Sequence, residues 1–522
     1  METLVHNIIS DIDDNILQDL ITFQENYGTK STFEELNDDQ LREKLWDKLF
    51  HCLSNNLESP LHYNCLSTLR ILSRDKTNLN ELITDERINI ILDNALLKET
   101  NTDQSTYNNV TIEALKLLCN LIFNSTKMQQ VLPTTSCLSC LIERMKKYNN
   151  AIPHEIMLFD TRIIFLITAF NISTRQVIQM QLNGDECLIK MIENISVQCD
   201  RDELVIKDDN ATLACEILKA LFNLYINSDD ATEEEEKNKN LVRILYKLLL
   251  SKCEKEDDLR SDIADLLIVI PYNCYSPIIP PTKEKHKQVF QGVDMSAVSV
   301  LLKFLDKRLN CKADLIGNLS PIVTAFIRMV KAERLIRKYT RLRILPPLKD
   351  VMHRPEEGNT LRAKLCKLLT SPVIKIRDLV AEFLFILCKE NVTRMVKYTG
   401  YGNAAGMFAN KGLLGPNRRK PAYSSESEDS ETEEYLKHKE QINPVTGCFE
   451  YPKPNPLEGM TEEQKEYEAL QLVGLVDKLT RKGIVQPCRI GDDGKPKPIE
   501  HVLELQEELP KQQYGRRDSD SD

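Results

Sequence analysis

Leu115-Lys116-Leu117-Leu118-Cys119-Asn120, Leu166-Ile167-Thr168-Ala169-Phe170-Asn171 and Leu218-Lys219-Ala220-Leu221-Phe222-Asn223 are three copies of one short pattern. They recur with a period of about fifty residues. In each copy apolar residues fall at helical spacing on one face, and the asparagine is displaced from that face. Amphipathic text flanks the copies, for example at 187–195, so one repeat reads as a helical hairpin or triplet. A unit of that size cannot cover its own apolar face, and stacking on its neighbours buries it. Similar helical segments without the asparagine lie at 66–72, 263–270, 322–330 and 379–387. They extend the array from the N-terminus to about Leu414.

The pattern predicts an all-α fold, an armadillo/HEAT-type superhelical solenoid over residues 1–415. Composition agrees: hydrophobic residues make up 42%, with only 17 glycines and one tryptophan, a vocabulary that favours helix over a β-sandwich. Longer loops interrupt the array at 227–240, with its Glu234 to Glu236 run, and at 271–285, where Pro277, Pro280 and Pro281 exclude regular helix.

After Gly415 the text changes. Ser424-Ser425-Glu426-Ser427-Glu428-Asp429-Ser430-Glu431 cannot build a core, so 416–460 is expected to be a disordered, phosphorylatable acidic linker. Thr461, with Gln464 at the capping-box position, opens an amphipathic helix over 461–480. Its stripe of Leu470, Val473, Leu475, Val476 and Leu479 has no domain of its own to enter and is expected to dock on a partner or on the solenoid. Residues 481–522 are expected to form a flexible tail.

Fifteen cysteines without regular spacing, several inside apolar runs, indicate a reducing compartment, and seven Asn-x-Ser/Thr sequons are chance matches in such a protein. Asp11, Asp13 and Asp14 stand where a signal peptide would need bases, and the best apolar run, 163–170, is too short to span a bilayer. The chain is therefore expected to be cytoplasmic, not inserted in membrane, and monomeric. A net charge of −11 argues against nucleic acid as the main partner.

Chemistry-bearing motifs are few. Cys137 and Cys140 have metal-ligand spacing but lack a second pair, so no metal is expected. Gly400, Gly402 and Gly406 miss the dinucleotide fingerprint and suit a turn closing the solenoid, and Gly28-Thr29-Lys30-Ser31 lacks the rest of a P-loop. No hydrolase, zinc-protease or kinase signature is present, so neither a catalytic residue nor a cofactor is expected.

Pairs one turn apart are more informative: Arg70 with Arg74, Asn120 with Asn124, Asn171 with Arg175, and Asn223 with Asn227. Aligned amides and guanidinium groups can bond the backbone of a bound peptide and its terminal carboxylate. The alternative is that each asparagine ends its helix or bonds a neighbouring loop. Arg337, Arg341 and Arg343 belong to a basic run at helical spacing that is either a solvated face or a partner for phosphate on Ser425 and Ser430, each of which has an acidic residue three positions on. An acid-directed protein kinase is then a second expected partner.

Leu345-Pro346-Pro347-Leu348-Lys349-Asp350-Val351, Ala381-Glu382-Phe383-Leu384-Phe385-Ile386-Leu387, Lys397-Tyr398-Thr399-Gly400-Tyr401-Gly402-Asn403, Ile442-Asn443-Pro444-Val445-Thr446-Gly447 and Pro454-Asn455-Pro456-Leu457-Glu458-Gly459-Met460 closely resemble the synembryn family, over nearly the whole chain. The resemblance implies a cytosolic guanine-nucleotide exchange factor and folding chaperone for heterotrimeric G-protein α subunits, with possible recruitment to the cell cortex. It implies that a concave groove captures the C-terminal helix of Gα and that the segment beyond the solenoid reaches the GTPase domain. Arg70, Arg74 and Asn120 match groove positions, and Ser425 and Ser430 match a phosphorylated acidic motif. The rival readings are an armadillo-type peptide-binding adaptor without nucleotide linkage, and a hydrolase, for which no convergent pocket is evident.

Overall fold

A computed structural model describes residues 1–10, 16–36, 40–54, 59–98, 107–148, 152–197, 205–226, 234–284, 288–311, 313–415, 431–451, 454 and 456–499. The chain divides into two compact units, Met1–Phe304 and Leu305–Asp522.

The first unit contains α1 (Glu2–Ser10), α2 (Ile16–Tyr27), α3 (Leu41–Ser54), α4 (Ser59–Leu72), α5 (Leu79–Leu82), α6 (Asp85–Asn94), α7 (Asn109–Asn124), α8 (Thr126–Val131) and α9 (Cys137–Lys146). It continues through α10 (His154–Phe170), α11 (Ser173–Gln176), α12 (Gly184–Val197), α13 (Asp208–Tyr225), α14 (Glu235–Leu250) and α15 (Glu256–Val269) to the hairpin β1 (Val289–Phe290) and β2 (Val293–Asp294) and the start of α16 (Ser296–Leu309). Helices α2, α4, α7, α10, α13 and α15 each pack on the next and form one layer. Helices α3, α6, α9, α12 and α14 cover them as a second layer. The all-α repeat architecture expected from the sequence is the one observed.

Local chemistry explains the elements. The Asn108 side chain accepts the Thr111 amide at 3.1 Å and starts α7. Leu115, Leu118, Leu121 and Ile122 are all fully buried, because α7 lies between α4 and α10 and beneath α6. Each such leucine contributes about 1.5–3 kcal/mol of burial. A buried ion pair joins layers: Arg144 Nε donates to Asp160 at 2.7 Å and its Nη1 to the Ala95 carbonyl at 2.9 Å, while the Tyr148 hydroxyl donates to Asp160 at 2.6 Å. The Glu234 to Glu236 run lies at the start of α14, where carboxylates complement the helix N-terminus. The proline-rich 271–284 stretch is not an open loop: Cys274, Tyr275 and Ile278 are fully buried, and its 3₁₀ turns pack on α14.

The second unit contains α17 (Leu315–Ala332), α18 (Arg334–Ile344), α19 (Leu361–Leu368), α20 (Ile374–Leu387), α21 (Val392–Thr399) and α22 (Tyr401–Asn410). Then follow α23 (Glu433–His438), β3 (Ile442–Asn443), β4 (Cys448–Phe449), α24 (Glu462–Arg481), β5 (Cys488–Ile490) and β6 (Pro496–Pro498). Helix α20 touches α17, α18, α19, α21 and α22. By length and composition α17 could cross a membrane, a candidate that the search for apolar runs missed. Its Ile322, Val323, Phe326 and Met329 are buried in the unit, and Phe326 lies 5.8 Å from Phe383 of α20.

Two expectations are corrected here. Residues 416–430, including Ser425 and Ser430, lie outside the described residues, but from Glu431 onward the expected linker is folded. Tyr401 and Gly402 donate their amides to the Pro444 and Val445 carbonyls at 2.8 and 2.9 Å, and Phe449 donates to Val351 at 2.7 Å. Glycine is needed at 400, where φ is +74° and a Cβ would sit 3.0 Å from the Val445 carbonyl oxygen. Of the three glycines expected in a turn only Gly400 makes one, at the N-cap of α22; Gly402 and Gly406 lie inside that helix, and Gly400 with Gly402 receives the β3–β4 hairpin. The 481–522 tail likewise includes the β5–β6 hairpin, whose Gly494 carbonyl accepts the Leu414 amide at 3.3 Å.

Candidate protein-binding face

Asn120 and Asn223 occupy equivalent places inside α7 and α13. The Asn120 amide donates to the Arg70 carbonyl at 3.0 Å, and that of Asn223 to the Phe165 carbonyl and the Thr168 hydroxyl, both at 3.1 Å. Asn124 donates to the Ser73 carbonyl at 3.0 Å. Each amide therefore reaches the preceding helix of the layer and bonds it. Asn171 breaks the register: it is the C-cap of α10 and donates to the Gln129 carbonyl at 3.2 Å. Arg175 turns back to the Thr168 carbonyl at 2.7 Å. Asn227 lies outside the described residues. Asn120 and Asn223 are thus clamps between successive helices, neither of the two arrangements expected, and of the three repeat asparagines only Asn171 ends its helix as the alternative reading had it.

The arginines differ. Arg70 donates Nε to Glu113, and Arg74 donates Nη1 to the carbonyls of Gly28 and Lys30. Burial first, and then the Arg70 charge, lower the pKa of Arg74. Arg70 in the last turn of α4 and Arg74 just beyond its end are two like charges that would favour an anion at this end of the layer. At the C-terminal ends of α7 and α10, Phe123 and Phe170 pack edge to face at 5.9 Å yet remain 55% and 44% exposed, Ile172 is 64% exposed, and the Lys76 ammonium lies 5.4 Å from the Phe123 ring centre. Exposed aromatic side chains stacked on one another are anchors for a partner's apolar side chains.

Sequence reasoning missed a row of charges on the same helices. Glu113-x-x-Lys116-x-x-x-Asn120 on α7 and Glu216-x-x-Lys219-x-x-x-Asn223 on α13 share one spacing, so each glutamate and lysine lies on the face of its asparagine. Glu113 pairs with Arg70 of α4, and Glu216 with Arg162 of α10 at 2.8 Å. The row ends on α15 at Asp262 and Asp265. Burial pushes the Asp262 carboxyl up to about 7 against the pull of Lys219 and Cys215, with Asp265 and Glu216 adding to the rise. Burial alone pushes Asp265 up to about 6. The signal was present in the repeated Glu-x-x-Lys-x-x-x-Asn spacing, which begins upstream of the leucines that anchored the repeat search.

In the second unit α24 has the expected capping box, with the Gln464 amide donating to Thr461 at 3.3 Å and the Thr461 amide to Gln464 at 3.0 Å. Leu470 and Val473 are 69% and 50% exposed, and Val476 and Leu479 are half-buried. The basic run is corrected in part. Arg341 is buried, donating to the Tyr398 hydroxyl at 3.3 Å, and Arg337 donates to the Val330 carbonyl at 2.9 Å. Arg343 is exposed, its guanidinium 5.1 Å from the Tyr339 ring centre. Arg341 faces inward because the basic residues recur at helical spacing and one of them must meet the core. Glu431, which follows Ser430, lies 3.1 Å from Lys439 and 3.7 Å from Lys397. The acidic stretch re-enters the described fold beside lysines that the sequence did not single out.

Known proteins extend this picture. Residues 65–495 match the family model described as guanine nucleotide exchange factor synembryn. The chain is 38% identical to Chaperone Ric-8A of Xenopus tropicalis over 500 residues, covering 92% of each chain. It is 35% identical to Chaperone Ric-8 of Drosophila melanogaster over 543 residues, covering 93% of this chain and 94% of that one. A crystal structure of an engineered protein superposes on 80% of this chain and 84% of its own with a TM-score of 0.48 at 16% identity. The extent of the first two likenesses and of the family match places the chain in the synembryn family of guanine nucleotide exchange factors.

Proposed function

We propose that this protein captures the C-terminal helix of a heterotrimeric G-protein α subunit on the face built by α4, α7, α10 and α13, promotes GDP release, and chaperones the nucleotide-free subunit. The observation that carries the reading is that two guanidinium groups at the C-terminal end of α4 and an exposed aromatic pair at the C-terminal ends of α7 and α10 occur on successive helices of one layer. A terminal carboxylate suits the two guanidinium groups, and the apolar side of an amphipathic helix suits the aromatic edge. The exposed stripe of α24 supports a second contact, with the GTPase domain.

No covalent step is required. An exchange factor acts by holding the nucleotide-free state of its partner more tightly than the nucleotide-bound states. Holding the C-terminal helix away from the GTPase core loosens the guanine pocket at that helix's other end, so GDP leaves. GTP restores the closed form and expels the exchange factor. The same affinity shelters a folding intermediate that has not yet bound nucleotide.

The test is GDP release from a purified Gα subunit with and without this protein, followed by addition of a GTP analogue to the isolated complex. Faster release and dissociation by the analogue support the reading. Binding indifferent to nucleotide would leave a peptide-binding adaptor instead.

A further inference from the structure

The two equivalent glutamates of the charged row are not equally satisfied. Glu113 places one oxygen on Arg70 and the other 3.7 Å from Lys116. Glu216 receives both Arg162 and Lys219 on a single oxygen, Oε1, at 2.8 and 2.9 Å. Its Oε2 is buried and has no hydrogen-bond partner among the described residues, on a residue only 4% exposed. A buried carboxylate oxygen without a donor is destabilising, and more so when the group is charged.

The next helix adds acids where a donor is missing. Asp262 and Asp265, one turn apart on α15, are half-buried, and Asp262 is bonded by the Cys215 thiol of α13 and senses the Glu216 charge. The one cation that acts on Asp262, Lys219, is already committed with Arg162 to Glu216 Oε1, and Asp265 feels burial without a compensating cation. Burial opposes ionisation of both aspartates, so this cluster of carboxyl groups holds part of its protons near neutrality. Structure alone would be served as well by asparagine at either position.

We propose that the notch between α13 and α15, formed by Glu216, Asp262 and Asp265, receives a lysine or arginine side chain of the captured helix. This rests on the groove reading above and extends it. The cation ionises both aspartates and supplies the charge that Glu216 Oε2 lacks. With Arg70 and Arg74 at the α4 end, the face is positive at one end and negative at the other, which fixes the direction of the bound helix: free carboxylate toward α4, basic side chain toward α15. Three to four helix spacings of roughly 8–10 Å separate the two ends, on the order of 30 Å. At 1.5 Å per residue, that length corresponds to roughly twenty residues of helix.

The probes are synthetic helical peptides with a free C-terminal carboxylate, carrying a single lysine or its uncharged isostere norleucine at successive positions over two turns, centred about twenty residues before the end. They are titrated calorimetrically against the full chain and its Asp262→Asn and Asp265→Asn variants, with melting curves confirming the fold. At one register the lysine peptide should bind the unaltered protein about tenfold more tightly than the norleucine peptide. That preference should vanish in the variants while norleucine-peptide affinity stays the same. Equal affinity of the two peptides at every register, or a lysine preference that survives both substitutions, would overturn the notch. Arg70→Ala separates the two readings: norleucine-peptide binding that depends on Arg70 upholds the groove whatever the notch does, whereas failure of every peptide to bind removes both.

Discussion

Replacing Arg70 by alanine removes one cation from Glu113, a carboxylate whose side chain is only 2% exposed and whose remaining partner, Lys116, stands 3.7 Å away. Arg70→Ala should therefore lose about 1–3 kcal/mol of stability as well as affinity for a Gα C-terminal peptide. Arg70→Ala with Glu113→Gln should recover most of the stability and none of the affinity, which denaturant unfolding and calorimetry on both proteins would check. Asp262 makes the opposite case. Its carboxyl is raised, so the native state holds a proton that the unfolded chain has released, and stability falls as pH rises from about 4 through 7. Asp262→Asn should therefore melt a few degrees above the parent at pH 8 and close to it at pH 4, with Cys215, Glu216, Lys219 and Asp265 unchanged. A melting difference that is the same at both pH values would mean that Asp262 does not titrate between them. Asn120 and Asn223 were legible as a pair from spacing alone. Their partners were not, since a sequence shows which face an amide is on and not which carbonyl of the preceding helix lies within 3 Å of it.

The β3–β4 hairpin and α24 follow the same acidic stretch but have different roles. The hairpin's backbone bonds to Tyr401, Gly402 and Val351 hold it on its unit, whereas α24 presents Leu470, Leu472, Val473 and Leu475 at half exposure or more. Truncation after Gly459 should leave the melting temperature nearly unchanged while slowing Gα exchange. Truncation after Gly415 should lower it as well, because the Val351 carbonyl and the glycine cradle lose their partner strand. Equal melting of the two truncations would refute the structural role of the hairpin. The capping box gave α24 to within one residue at each end, since Thr461 and Gln464 act locally. The hairpin falls inside the expected disordered linker because the acidic Ser/Glu text before it cannot build a core, and its order comes from Gly400 and Gly402, more than forty residues away in sequence. The proline stretch at 271–284 has no α-helix, as its prolines predict, but burial of Tyr275 and Ile278 packs it on its unit, which the local pattern does not show.

At the scale of the molecule, the fifty-residue period was enough to read the class of fold, because stacking is what amphipathic repeats must do. The proposed binding face was readable only in part. Spacing located Arg70, Arg74 and the asparagines, but the exposure of Phe123 and Phe170 is a property of the stacked layer, and no local pattern separates these two aromatics from their buried neighbours. Phosphate on Ser425 and Ser430 is proposed to meet basic side chains near the site where the acidic stretch rejoins the fold, with Lys397 and Lys439 now better placed than Arg341. Phosphorylation should speed exchange at low salt, with the gain fading at high salt and reduced by Lys397→Ala with Lys439→Ala. Identical rates for phosphorylated and unmodified protein at low salt would exclude it.

The central claim is that affinity for Gα is linked to nucleotide, and it is tested most directly by following release of a fluorescent GDP analogue from purified Gα as this protein is added, then adding a non-hydrolysable GTP analogue. The account predicts that release accelerates with the concentration of this protein, that Arg70→Ala combined with Arg74→Ala abolishes the acceleration, and that the GTP analogue dissolves the complex. Release at the intrinsic rate, with a complex that persists in the GTP analogue, would contradict it.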